Sequence, residues 1–286
     1  MAQTATTGNL ENAQKIIIAA SRYTEEHNAP AMALIESFTL PKGSKQVTVP
    51  KVGQMSMSDL VDGQDIIDEE EIGMTTVDLT AAEVGAKIIL TAKLVRQSSE
   101  NVMSIVGRQL GDGMARKKDT DVTALYSGFS TELGAAARTM SLANVSAVVA
   151  YAKGNKFGSQ VYINHHPFAV WDIANTAVTA STTYPVPKGW TEDLLGDFFS
   201  GLRPLNGVPI FEDGNITIDS SDDAVGVIAD KSALAVLKSV DTRTERQRDA
   251  SLRATELVMT SDYGVFELDD SKGAALTLDA GTPATS

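Results

Sequence analysis

TTVDLTAAEVGAKIILTAKLVRQSSENVMSIVGRQLGDGMARKKDTDVTALYSG, from Thr75 to Gly128, changes its periodicity near Ser98, and that change organises the rest of the chain. Before it, Val84, Ala86, Ile88, Leu90, Ala92 and Leu94 alternate with Gly85, Lys87, Ile89, Thr91, Lys93 and Val95, close to the two-residue period of a strand. After it, Ser98-Ser99-Glu100 offers a helix start. Val102, Val106, Leu110 and Met114 then mark one face of a helix running toward Leu125, weakened by Gly107, Gly111 and Gly113. The strand reads as the return arm of a long, extended hairpin. Its outgoing arm carries Val47, Val49 and Val52, beyond the turn signal Pro41-Lys42-Gly43.

Between the two arms the charge is one-sided. Asp59, Asp62, Asp65, Asp68, Glu69, Glu70, Glu71, Asp78 and Glu83 occur with no intervening base. Bases follow at Lys87, Lys93, Arg96, Arg108, Arg116, Lys117 and Lys118, and again at Arg243, Arg246, Arg248 and Arg253. Upstream, Leu10, Ala13, Ile17 and Ala20 are spaced as a short amphipathic helix ending before Pro30. Downstream, Leu142, Val145, Val149 and Ala152 predict a helix closed by Lys153-Gly154, followed by a strand at Val161-Tyr162-Ile163. Pro167 suits a first helical turn, with Phe168 and Trp171 expected to face inward. Residues 176–190 read as a surface loop. The remainder reads as short strands at 209–211, 225–228, 257–259, 265–268 and 275–278, with a helix from Lys231 to Leu237 capped by Asp230. Helices and strands mix without regular βαβ alternation, so the class is α+β.

Composition bounds the chemistry. With 286 residues, 43% hydrophobic and 21% charged, the chain is globular in composition and long enough for a sizeable core. No cysteine is present, which removes disulfides, thiolate metal sites and cysteine nucleophiles. The longest apolar run, Ala147 to Ala152, is far below membrane-spanning length, and no basic start leads into a signal-length apolar stretch. No membrane association and no Sec export are expected. A net charge of −13 disfavours general nucleic-acid binding.

Catalytic motifs are weak. Gly154 to Ser159 (GNKFGS) lacks the Gly-Lys pair of a phosphate loop, and Gly111-Asp112-Gly113 lacks the third glycine of a dinucleotide fingerprint. Asp213-Gly214-Asn215 with Asp219, Asp222 and Asp223 offers oxygen ligands. However, Ile218 and Ala224 stand where a calcium loop needs Gly and Glu, so an acidic, turn-rich surface is the better reading. His165, His166 and Asp172 could serve a metal-dependent hydrolase, but no third nitrogen ligand is near and His27 is distant in sequence. The favoured reading has one histidine packed beneath Trp171 or capping the Pro167 helix, and the other in solvent. Neither a cofactor nor a metal is called for.

The order of these elements resembles the major capsid proteins of tailed bacteriophages, the Hong Kong 97 fold shared with encapsulins. Three stretches carry the likeness. In the first, Thr75 to Gly128, a return strand leads to a Ser-started helix and a D-x-x-x-L-x-x-G ending at Asp121, Leu125 and Gly128. In the second, Ser141 to Trp171, the strand QVYINHHPFAVW is similar to the family's apolar strand ending in Asn-x-Pro, with one inserted histidine in Asn164-His165-His166-Pro167. The third joins Leu205-Asn206-Gly207-Val208-Pro209-Ile210 to Asp223–Leu278, with Tyr263-Gly264 at a turn between late strands.

The resemblance implies a non-enzymatic shell subunit. Its divisions are an N-terminal arm (1–36), an extended β-hairpin loop region (37–96), a peripheral domain with a long spine helix (97–128 and 223–270), and an axial domain (129–222 and 271–286). Implied partners are further copies as hexamers and pentamers, a separate scaffolding protein, a portal, a decoration protein in some relatives, and packaged double-stranded DNA bound without sequence preference. Its place would be the virion capsid, assembled in the host cytoplasm. An encapsulin-like compartment keeps the fold and changes the contents. Because the family's loop lies over an adjacent peripheral domain, the acidic arm Asp59–Glu71 is expected to dock on a neighbour's Arg243, Arg246 and Arg248, with Lys117 and Lys118 next. Some relatives cross-link a loop lysine to an asparagine. Lys51 is the hairpin lysine here, but no asparagine or assisting glutamate matches, so this chemistry is not carried over.

Overall fold

Two long strands fold back on one another at Ala250–Arg253 and seed the first sheet. They are β9 (Leu234–Asp249) and β10 (Ala254–Glu267), antiparallel from Leu234 opposite Glu267 to Asp249 opposite Ala254. The tip is fixed by the Asp249 carboxylate, which accepts from the amides of Ser251 and Leu252 and lets Arg253 take a left-handed φ of 49°. The computed structural model describes residues 30–52, 73–97, 102–178 and 207–283. Within these, β1 (Glu36–Thr39) lies parallel to the start of β9, and β4 (Ala82–Thr91) lies antiparallel to β10, giving the order β1-β9-β10-β4.

One face of this sheet carries the long helix. Two helices follow β4: α2 (Ala92–Gln97) and the 22-residue α3 (Val102–Thr123), preceded in the chain by the short α1 (Ala31–Leu34). Leu110 and Met114 of α3 pack with Leu90, Leu94, Leu257 and Met259 into a small satellite core. Each buried side chain of this size contributes about 1.5–3 kcal/mol relative to exposure, enough to hold the helix on the sheet despite its three glycines.

The principal core surrounds a second sheet. Its strands are β5 (Glu132–Gly134), β6 (Val161–His165), β7 (Ile210–Glu212), β8 (Asp223–Asp230) and β11 (Gly273–Asp279), in the order β5-β11-β8-β6-β7. β8 and β11 are near-continuous apolar runs because both faces are covered. The cover includes α4 (Leu142–Gly154), which starts on the Ser141 hydroxyl and buries Val145, Val148, Val149 and Ala152, and α5 (Pro167–Val178), with proline at its first position. Gly226 of β8 has no room for a side chain: a Cβ there would lie 2.2 Å from Cδ2 of His165.

Several sequence expectations need correction. The hairpin is formed by β2 (Gln46–Val52) and β3 (Met74–Thr80), with Gln46 opposite Thr80 and Val52 opposite Met74. The strand read as its return arm is instead β4, hydrogen-bonded to β10, and Ala92 to Gln97 are helical. Leu234–Leu237 begin β9 rather than continuing a helix; the Asp230 carboxylate caps only a turn, through Ser232. The apolar segments at 257–259 and 265–267 belong to one strand. Trp171 is exposed, and Ala169, Val170 and Ile173 are buried in its place. Residues 176–178 close α5, while the rest of the expected loop, the amphipathic helix at Leu10–Ala20 and the helix start at Ser98–Glu100 lie outside the described residues. No described helix is long and apolar enough to cross a membrane.

Candidate functional site

β6 carries the first candidate, the histidine pair, into the core. Both residues are buried, so the expectation of one in solvent is wrong. Pairing of β6 with β8 and β7 draws His165 beneath Gly226, where Nε2–H donates to the Leu276 carbonyl at 3.1 Å and Nδ1 accepts from the His166 amide at 2.9 Å. Both ring nitrogens are thereby committed to backbone, leaving no lone pair for a metal or a proton transfer. Burial lowers the His165 pKa to about 4, so the ring is neutral. His166 Nδ1 accepts from the Phe168 amide at 3.2 Å, capping the first turn of α5 as expected, and its ring meets Phe168 edge-on. Asp172 is on α5, and burial raises its pKa. Among the described residues no group of three His, Cys, Asp or Glu is arranged to hold a metal.

The acidic turn is committed to its own backbone. Asp219 accepts from the amides of Ser221 and Asp223, and Asp213 from that of Asn215. Asp223 accepts from the amide of Ala137. Asp213 and Asp223 are buried, so the expected acidic surface is only partly one. A carboxyl that sequence reading missed, Asp119 of α3, is fully buried beside Asp213. Its signal was its position on α3, three residues before the buried Val122 on the same helix face.

Of the expected docking groups, Asp59, Asp62, Asp65, Asp68, Glu69, Glu70 and Glu71 lie outside the described residues. Arg243, Arg246 and Arg248 are exposed on β9 beyond the four residues that β1 covers. Register divides them between faces. Arg246 and Arg248 stand opposite Leu257 and Thr255, whereas Arg243 stands opposite Thr260 on the other face, with its Nε 3.8 Å from Glu245 Oε1. Lys118 joins the set: its Nζ donates to Thr242 Oγ1 at 2.8 Å and lies 5.3 Å from the Tyr263 ring centroid. Burial, then the neighbouring Lys238, lower the Lys118 pKa. Lys117 is paired instead with Asp121 at 2.5 Å, while the Tyr263 hydroxyl donates to the other oxygen of Asp121 at 2.6 Å.

The outer half of the described hairpin, Val49 to Val52, meets the body at a polar cleft of about 710 Å³ lined by Glu36, Lys51, Lys156, Asp269 and Lys272. Lys51 Nζ pairs with Asp269 Oδ1 at 2.5 Å. Burial pushes Asp269 up, but the bonds from Lys51 and Ser271 outweigh it and hold the carboxyl below its ordinary range.

No protein-family model matches the chain, and no curated protein matches it in sequence. Solved structures do match. A chain of the capsid of Ralstonia phage GP4 matches at TM-score 0.68 and 11% identity, covering 94% of this chain and 92% of that one. A chain from the capsid of a native GTA particle matches at 0.66 and 12%, covering 90% and 92%. A chain of Microbacterium phage Oxtober96 matches at 0.65 and 13%, covering 96% and 100%. The likeness is one of fold, and it identifies the α+β architecture as the Hong Kong 97-type capsid fold.

Proposed function

We propose that this chain is a structural, non-enzymatic subunit that self-assembles through rings of five and six into the icosahedral head shell of a tailed phage. The observation that carries the reading is likeness to capsid chains over nearly the full length of both partners. The local physics agrees. A two-stranded ribbon with mostly exposed faces, such as β2–β3, is marginal in water and gains most by lying on another surface. The edge of β9 beyond Lys238, which no described strand pairs, is likewise suited to contact with a neighbour.

In this reading α3 is the spine helix, with β9 and β10 beside it in the peripheral domain, and the five-stranded sheet forms the axial domain. The boundary at 223 is best moved to 231, because β8 is hydrogen-bonded inside the five-stranded sheet. The acidic arm Asp59–Glu71 docks on a neighbour's Arg246 and Arg248, with Lys118 beside them and Arg243 on the opposite face. Further partners are a scaffolding protein, a portal, a decoration protein, and packaged double-stranded DNA, which the net charge of −13 keeps from adhering to the wall. Assembly takes place in the host cytoplasm. Sedimentation velocity tests the proposal: capsomer-sized or larger species are expected, and a protein that stays monomeric or dimeric at every concentration would refute it.

A further inference from the structure

Asp119 and Asp213 form a fully buried acid pair that neither histidine chemistry nor shell contacts use. Asn215 clamps both: its amide donates to Asp213 Oδ1 at 2.9 Å and its Nδ2 to Asp119 Oδ2 at 2.9 Å. The other Asp119 oxygen accepts from the Ala31 amide at 3.0 Å. Asp213 Oδ2 is left buried with no hydrogen-bond partner. Two ionised carboxylates side by side at fully buried positions would repel strongly, and an unmatched buried carboxylate oxygen is costly. One proton between them removes both difficulties, because an O–H···O bond between the two carboxyls replaces the repulsion and can take up the orphaned Asp213 Oδ2.

We propose that Asp119 and Asp213 share a single proton and act as a latch tying α3 to α1 and to the turn after β7, closed while the proton is held and loosened when it leaves. Burial and then the Asp213 hydrogen bond push Asp119 up to about 7, against which the Asn215 bond works. Since this pKa is raised on folding, the stabilisation is full at acid pH and is lost as pH rises through about 7. The surrounding groups are Tyr126 after α3, Tyr162, Asn164 and His165 on β6, and the exposed Arg116 and Glu212 flanking the pair in sequence. Burial raises the pKa of both tyrosines and lowers that of His165, so these three stay neutral between pH 6 and 8. The latch rests on packing within one chain and does not require the shell reading.

Asp213→Asn imitates the closed state: its Oδ1 still accepts from Asn215, and its Nδ2 donates to Asp119 at any pH. Melting temperatures of the full-length wild type and this variant, measured from pH 4.5 to 8.5, should separate progressively up to about pH 7 as the wild type loses stability relative to the variant, and keep a constant gap above it. In infrared difference spectra at pH 6, the wild type should show a protonated-carboxyl band that disappears near pH 7 and is missing from both Asp213→Asn and Asp119→Asn. Parallel melting profiles, or no such band in the wild type at pH 6, would overturn the latch.

Discussion

His165 shows how a polar residue earns a place in this core. Its ring ties β6 to β11, accepting from the His166 amide at Nδ1 and donating from Nε2–H to the Leu276 carbonyl on β11. His165→Ala removes both bonds and leaves a void under Gly226. Urea unfolding at pH 7 should show a loss of about 2–4 kcal/mol, and a loss below about 1 kcal/mol would mean that the bridge is dispensable. His166→Ala removes the cap and the edge-on ring contact with Phe168 and should cost about 1–3 kcal/mol. The sign with pH is fixed by the depressed pKa: the His165 contribution is intact above 6.5 and is lost as pH falls toward about 4. His165→Ala should therefore abolish part of the wild type's acid lability, measured as the fall in melting temperature between pH 7 and 4.5. The capping role of His166 was legible in the sequence from Pro167. Burial of His165 was not, because it depends on Gly226, sixty-one residues later, leaving space for the ring.

At the scale of elements, the hairpin and the strand after it behave differently despite being consecutive. Among the described residues β3, which ends at Thr80, pairs only with β2, whose residues are mostly exposed, whereas β4 starts at Ala82 and sets Ile89 and Leu90 in the interior against β10. Hydrogen exchange on the unassembled chain should find amides of 46–52 and 74–80 exchanging fast and those of Ile88 to Thr91 protected. Equal protection of both would contradict the division. Sequence alternation identified strand at 84–91 but could not say which strand it pairs with, since period two carries no partner identity. The same limit explains Ala233–Leu237, an unbroken apolar run that fits a buried strand as well as a helix turn. By contrast α4 was legible, because its apolar spacing and the Lys153-Gly154 end agree, and the structure adds the Ser141 cap.

For the whole molecule, charge sets the expected contact. Seven acids in Asp59–Glu71 repel one another, and in the proposed contact the guanidinium groups of a neighbour would relieve this through charge-assisted hydrogen bonds. Exposed pairs contribute about 0–1 kcal/mol each, so the effect comes from repetition around a shell. Reversing Arg246 and Arg248 to Glu should impair assembly, seen as lower particle yield by light scattering, and Glu69, Glu70 and Glu71 to Lys in the same chain should partly restore it. Arg243→Glu should do less, since Arg243 faces away and already neighbours Glu245. Normal assembly of the double reversal at low and moderate salt would remove this contact from the account while leaving the shell reading standing. The shell itself is tested most directly by electron microscopy of the purified full-length protein. Rings of five or six subunits, or closed isometric shells, are predicted; a uniform small oligomer with no larger particles would contradict the central claim.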